Sequence, residues 1–164
     1  MNRAPAIVVS KREHTVTLYT AGQVTRVYPA DLSFNWISDK RRSGDGAVPE
    51  GRYRVVARKS GAQTRYHKAL LLDYPNAEDR RRFDAERRAG TIPASASIGG
   101  LIEIHGHGGR SVDWTDGCVA ITNPEIDELF ARVAIGTPVT VVGGEAPAGL
   151  DDFLTSEGPS IGWR

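Results

Sequence analysis

Ile102-Glu103-Ile104-His105-Gly106-His107-Gly108-Gly109-Arg110-Ser111-Val112-Asp113-Trp114-Thr115-Asp116-Gly117-Cys118-Val119-Ala120-Ile121 is the stretch on which the reading of this chain turns. An alternating apolar run ends on His105 and a glycine-rich turn follows. Thirteen residues after that histidine, a second turn delivers Cys118, the sole cysteine, into another apolar run. A strand end fixes the backbone of the imidazole, and a tight turn before the next element fixes the sulfur. Two rigid supports of this kind make a defined cysteine-histidine pair.

The chemistry follows from the residue types. The thiolate is the nucleophile, and a free cysteine with a pKa near ~8.5 is mostly protonated at neutral pH, so a partner has to take its proton. Histidine titrates near working pH and can return that proton to a leaving amine. His105 is the better held of the two histidines. His107, between glycines, is read as a rim or substrate-contacting group. Asp116-Gly117-Cys118 presents consecutive N–H groups to a developing oxyanion, and Gly117 permits close approach of a substrate carbonyl. Asp116 itself is either an orienting carboxylate or an ordinary turn former. Trp114 is placed either on a sugar or peptide or against the core. His105, His107, Asp113, Asp116 and Cys118 are all zinc-ligand types, but the usual spaced motifs are missing, so neither a metal nor another cofactor is expected.

Outward from this stretch, the sequence reads mainly as strands. Residues 6–10 and 15–20 alternate, and Ala21-Gly22-Gln23 turns the chain into a third strand that Pro29 ends. Residues 30–51 lose their period and read as loop. Strands follow at 53–58 and 68–74, the latter apolar enough for burial on both faces. Residues 76–88 form a charged helix with Phe83 as its one large apolar residue, supported by Glu78–Arg82 and Asp84–Arg88 pairs. It is a solvated helix, or else a basic rim for an acidic substrate. After the cysteine, Thr122-Asn123-Pro124-Glu125 offers a capping box, or Asn123 as cap with Pro124 at the first helical position. Ile126, Leu129, Phe130 and Val133 keep helical spacing, Gly136 is expected to stop the helix, and 138–142 is a last strand. The tail 144–164 is loop-rich.

The 164 residues carry 21 basic and 20 acidic side chains, a formal charge of +1, which gives no electrostatic case for nucleic acid. No apolar span reaches membrane-crossing length, and the N-terminus lacks the pattern of a secretory signal. One domain over 1–164 and a monomer are expected.

Ile104-His105-Gly106 and Thr115-Asp116-Gly117-Cys118-Val119 resemble the catalytic motif of the L,D-transpeptidases of the YkuD type. The opening hairpin and Val48-Pro49-Glu50-Gly51-Arg52-Tyr53 also look like that family's segments. The resemblance implies a mainly β catalytic domain with one or two helices on or flanking the sheet. It implies Cys118 as nucleophile and His105 as base, with the Gly106 carbonyl orienting the imidazole. An oxyanion hole would come from the N–H groups of Asp116, Gly117 and Cys118. Substrates would be peptidoglycan stem peptides, a donor tetrapeptide and an acceptor amine, bound with help from His107, Arg110, Trp114 and Asn123. The location implied is periplasmic or at the cell surface, which removal of a leader would reconcile with the visible N-terminus. Many members carry His at the position of Asp116 and Arg at that of Ala120. This chain therefore looks like a branch in which transpeptidation and hydrolysis of a stem-peptide linkage are both open, and Arg110 or the basic helix would have to replace the arginine. A zinc hydrolase and a non-catalytic wall-binding module are the other readings.

Overall fold

The computed structural model describes residues 4–143, so the tail expected at 144–164 lies outside the described residues. Among the described residues, eight strands form one sheet in the order β3-β2-β1-β8-β4-β5-β6-β7. They are β1 (Pro5–Ser10), β2 (Thr15–Thr20), β3 (Gln23–Pro29), β4 (Gly51–Ser60), β5 (Lys68–Leu72), β6 (Glu103–His105), β7 (Val119–Ala120) and β8 (Pro138–Val142). The β1–β8 and β6–β7 pairs are parallel and the remaining pairs antiparallel. The mainly β architecture with two helices is the one the sequence implies.

Alternation builds the core. Ile7 and Val9 of β1, Val16 and Leu18 of β2, Tyr53 and Val55 of β4, and Val139 and Val141 of β8 are all buried on one side of the sheet. The β2–β3 hairpin turns through Ala21 and Gly22, both at positive φ (54° and 77°), the backbone sense that matches strand twist in two-residue hairpins. Beyond β3, Asp31 bridges Ala120 of β7 through reciprocal N–H to carbonyl bonds of 2.8 and 2.9 Å. The chain leaving one end of the strand order is thus tied to the other end, and the sheet curls toward closure.

Helix α2 (Asn123–Arg132) is capped by Thr122, whose hydroxyl accepts from Glu125 N while the Glu125 carboxylate accepts from Thr122 N. The capping box therefore prevails over Asn123 as cap. Ile126 and Leu129 are buried under it. The helix does not run to Gly136. It ends at Val133, whose φ and ψ of −119° and 145° are extended, because that residue leaves the helical path to bury its side chain in the core.

Helix α1 (Ala77–Arg88) begins at an Asn76–Asp79 reciprocal cap and buries Phe83. Its expected intrahelical pairs are not the ones formed. Arg82 reaches out of the helix to Asp39, 2.6 Å away, and to the Lys40 carbonyl, while Arg88 Nε contacts the backbone oxygen of Asp84. Partners in the 30–50 loop offer Arg82 a fixed carboxylate, which outcompetes a solvated Glu78. Strand β5 stops at Leu72, two residues early. The Asp73 carboxylate accepts from Arg54 N at 2.7 Å and diverts the chain from the ladder.

The aperiodic loop is held by buried charge. Lys11, fully buried at the end of β1, donates to the carbonyls of Ser38 (2.7 Å) and Val48 (2.8 Å) and pairs with Glu50 at 3.2 Å. Asp45 accepts from the backbone N–H groups of Arg41, Arg42 and Ala47 and from the Lys40 ammonium. Burial alone would raise the Asp45 carboxyl, but these donors hold it below the ordinary carboxylate range.

Candidate active site

His105 ends β6 and Cys118 immediately precedes the neighbouring strand β7. Ile104 registers with Val119 and His105 with Ala120 in a parallel ladder. Cys118, one residue before β7, therefore projects to the same face as His105. Gly117, which delivers it, sits at φ 130°, and a Cβ there would lie 2.8 Å from the Ala47 carbonyl oxygen, so only glycine passes.

His105 is buried, and its Nδ1 lies 2.7 Å from the Gly106 carbonyl oxygen. A carbonyl only accepts, so Nδ1 carries the proton and Nε2 keeps its lone pair. Burial lowers the imidazole pKa below its ordinary 6.5, against the opposing pull of the Gly106 bond and the Glu103 carboxylate. The ring is neutral at neutral pH. Gly106 has no room for a side chain, since a Cβ would stand 2.6 Å from both Asn123 Oδ1 and the Tyr66 carbonyl oxygen.

Cys118 is half-buried, and its Sγ–H points to the Leu101 carbonyl at 3.4 Å. Burial pushes its pKa up to about 11, and the Glu103 and Asp116 carboxylates add to the rise. The Glu103 N–H and the Lys40 ammonium oppose them. The resting sulfur is a thiol, and a reaction with a carbonyl needs a base during the step itself. Beyond the thiol opens a cleft of about 620 Å³ whose walls include Cys118, Asp116, Leu101, Arg65 and Phe34. Leu101 and Phe34 are 71% and 65% exposed, an apolar flank on an otherwise polar mouth.

The other predicted contacts gather around His105 and the turn that follows it. His107, Arg110, Trp114 and Asn123, like His105 itself, are not among the residues lining that cleft. Asn123 Oδ1 accepts from His107 N at 2.8 Å, fixing the turn after the histidine strand. Arg110 lays its guanidinium 3.8 Å over the Trp114 ring and bonds the His107 carbonyl. Trp114 donates Nε1–H to Asp31 and sets its ring against His105, centroids 5.8 Å apart. Gly117 N, one of the N–H groups expected to serve an oxyanion hole, makes a long bond of 3.4 Å to Thr115 Oγ1 within its own turn, while Thr115 Oγ1 donates to the Cys118 carbonyl at 2.6 Å. Asp113 binds Leu32 N and His14, away from Cys118.

Two neighbours of the candidate site were missed in sequence. Tyr66 stacks on His105 at 3.9 Å and 15°, and its backbone carbonyl accepts from Gly106 N. Asp31 accepts from Arg110 N and Trp114 Nε1 through a single oxygen. Each lies in an aperiodic stretch, and no local pattern marks it.

Fold and site together define a family. The L,D-transpeptidase catalytic domain of the YkuD type matches residues 4–141, and the chain belongs to that family. Among curated relatives, the Escherichia coli K12 protein named "Putative L,D-transpeptidase YafK" is 32% identical over 132 residues, covering 77% of this chain and 46% of YafK. The chain thus spans about half the length of the curated relatives it matches. Among solved structures, the helical cell shape determining protein Pgp2 of Campylobacter jejuni superposes with a TM-score of 0.64 at 20% identity, over 87% of this chain and 49% of Pgp2. Bd1075 of Bdellovibrio bacteriovorus gives 0.60 at 24%, over 85% and 47%. These two likenesses are likenesses of fold.

Proposed function

We propose that this domain performs cysteine-dependent acyl transfer on peptidoglycan stem peptides, in the periplasm or at the cell surface. The observation that carries the reading is the neutral, Gly106-oriented His105 on the same face as a protonated Cys118. Family membership supplies the substrate class.

In the first half-reaction Sγ–H gives its proton to His105 Nε2 as sulfur attacks the stem-peptide carbonyl carbon. The oxyanion is met by N–H groups of the Asp116-Gly117-Cys118 turn, where the long Gly117 contact is readily exchanged. The C–N bond breaks, the imidazolium returns the proton to the leaving amine nitrogen, and a thioester on Cys118 remains. In the second half-reaction an acceptor amine loses its proton to His105 as it attacks. The C–S bond breaks, and sulfur takes the proton back. Water in place of the amine makes the same cycle a hydrolysis.

A chain with this fold, LdtMt1, has been solved in complex with imipenem. The acyl-transfer reading predicts that a carbapenem adds covalently to this protein and that Cys118→Ala abolishes the added mass. An unmodified protein in intact-mass measurement refutes it. Mass spectrometry of muropeptides after incubation then separates the fates: crosslinked products mean transfer to an amine, trimmed products mean hydrolysis, and unchanged peptides mean a binding module.

A further inference from the structure

The cleft beside Cys118 is lined by four charged side chains, Lys40, Arg65, Glu103 and Asp116, and two of them are already committed. Lys40 is held by Asp45 at 2.9 Å, and Glu103 by Lys59 at 2.9 Å. Asp116 is exposed at the mouth. Arg65 is the cation in the lining that has no hydrogen-bond or ion-pair partner among the described residues.

Its backbone is fixed relative to the imidazole. A single 3-10 turn, Gly61–Gln63, precedes it and is capped by Ser60 N donating to Gln63 Oε1 at 3.1 Å. On its other side, Tyr66 N donates to Thr64 Oγ1, the Tyr66 carbonyl accepts from Gly106 N and Lys68 N, and the Tyr66 ring lies flat on His105. A guanidinium on such an anchored loop offers a planar fork matched to a carboxylate. Of the two charges on this cleft that are unpaired among the described residues, Asp116 repels an anion and Arg65 attracts one.

Resting on the acyl-transfer reading, we propose that Arg65 is the residue that selects the substrate, by pairing with a free carboxylate close to the carbonyl that Cys118 attacks. A stem tetrapeptide carries three such groups: the α-carboxylate of its glutamate, the side-chain carboxylate of its diaminopimelate and its C-terminal carboxylate. The chemistry recognised is the same for each.

Binding to the Cys118→Ala protein is measured by calorimetry with L-Ala-γ-D-Glu-meso-diaminopimelyl-D-Ala and with its three singly amidated forms, then repeated with Arg65→Gln added. One carboxamide is expected to bind about 10- to 100-fold more weakly than the free tetrapeptide, the worth of one charge-assisted bond. Arg65→Gln is expected to bring the free tetrapeptide down to that level while leaving the affinity for that carboxamide unchanged. The carboxamide that responds names the carboxylate. Equal weakening of every peptide by Arg65→Gln, no weakening by it, or no saturable binding of any peptide overturns the proposal. Thermal melting shows whether the variant is folded. Arg65-dependent discrimination in a wild-type protein that never turns the peptide over sinks acyl transfer and leaves this inference standing. Turnover that ignores Arg65 does the reverse.

Discussion

Replacing His105 with Gln tests the division of labour between sulfur and imidazole. With the Cys118 pKa pushed up to about 11, the thiolate fraction at pH 7 is about one in ten thousand, a deficit of roughly 5 kcal/mol. A neutral imidazole that accepts the proton in the transition state recovers part of this, and general-base assistance is typically worth about 10²- to 10⁴-fold. Acylation by a carbapenem, followed by stopped-flow absorbance and intact mass, should therefore fall by about that factor at pH 7 in His105→Gln. The pH profiles should differ in shape as well. Wild-type acylation should lose rate on the acid side, below 6.5, where His105 becomes protonated, and then flatten. The variant should instead climb tenfold per pH unit toward about pH 11, because only spontaneous thiolate reacts. A wild-type rate that itself climbs tenfold per unit from pH 6 to 10 would refute the base assignment. So would a His105→Gln variant acylated as fast as wild type at pH 7.

Three other perturbations follow from packing and charge. Tyr66→Ala uncovers one face of the His105 ring, so its pKa should move up toward 6.5, whereas Tyr66→Phe should leave it in place; an NMR titration of the imidazole reads both, and identical titrations in the two variants would contradict the stacking argument. Gly106→Ala forces a Cβ to within 2.6 Å of Asn123 Oδ1 and the Tyr66 carbonyl, and should cost about 2 kcal/mol in chemical denaturation together with most carbapenem adduct formation. Lys11→Met removes the ammonium from the Ser38 and Val48 carbonyls and Glu50, with an expected loss of about 3 kcal/mol, and an unchanged denaturation midpoint would show that the 30–50 loop is held by other contacts.

Legibility followed the range of the interactions. The hairpin at Ala21-Gly22, the Thr122–Glu125 box and the strand 138–142 depend on residues a few positions apart, and their patterns are visible in the chain. The pairing of strands β6 and β7 was foreshadowed by two apolar runs flanking a glycine-rich turn. What escaped was set by partners far away in sequence. Arg82 chose Asp39 over the neighbours four residues off, and Tyr66 reached His105 from a loop with no period. Asp31 and Arg110 are joined across 79 positions. Lys11 did leave a trace, because Ile7, Val9 and Lys11 continue one inward alternation past the end of β1, placing a lysine where the pattern demands an apolar residue. His107, Arg110, Trp114 and Asn123, expected as substrate contacts, are tied to one another or to His105 by bonds and ring contacts that their order in the chain does not announce. Nearness to Cys118 in sequence does not say how a side chain meets the imidazole: Trp114 sets its ring against His105, while Asn123 and Arg110 bond the His107 backbone.

Strand β8 sits between β1 and β4, so the two half-sheets meet along a seam supplied by the last of the described strands to be synthesised. Before residues 138–142 emerge, β1 and β4 each present an unpaired edge, the kind of surface that invites pairing with another chain. The cysteine turn and both helices are then already made, yet the barrel-like whole has to wait for a contact across some 130 positions, a topology that folds slowly. A chain interrupted just before Pro138 would carry every residue of the proposed chemistry and still expose two strand edges that invite aggregation, so the last of the described strands closes the sheet rather than completing the site.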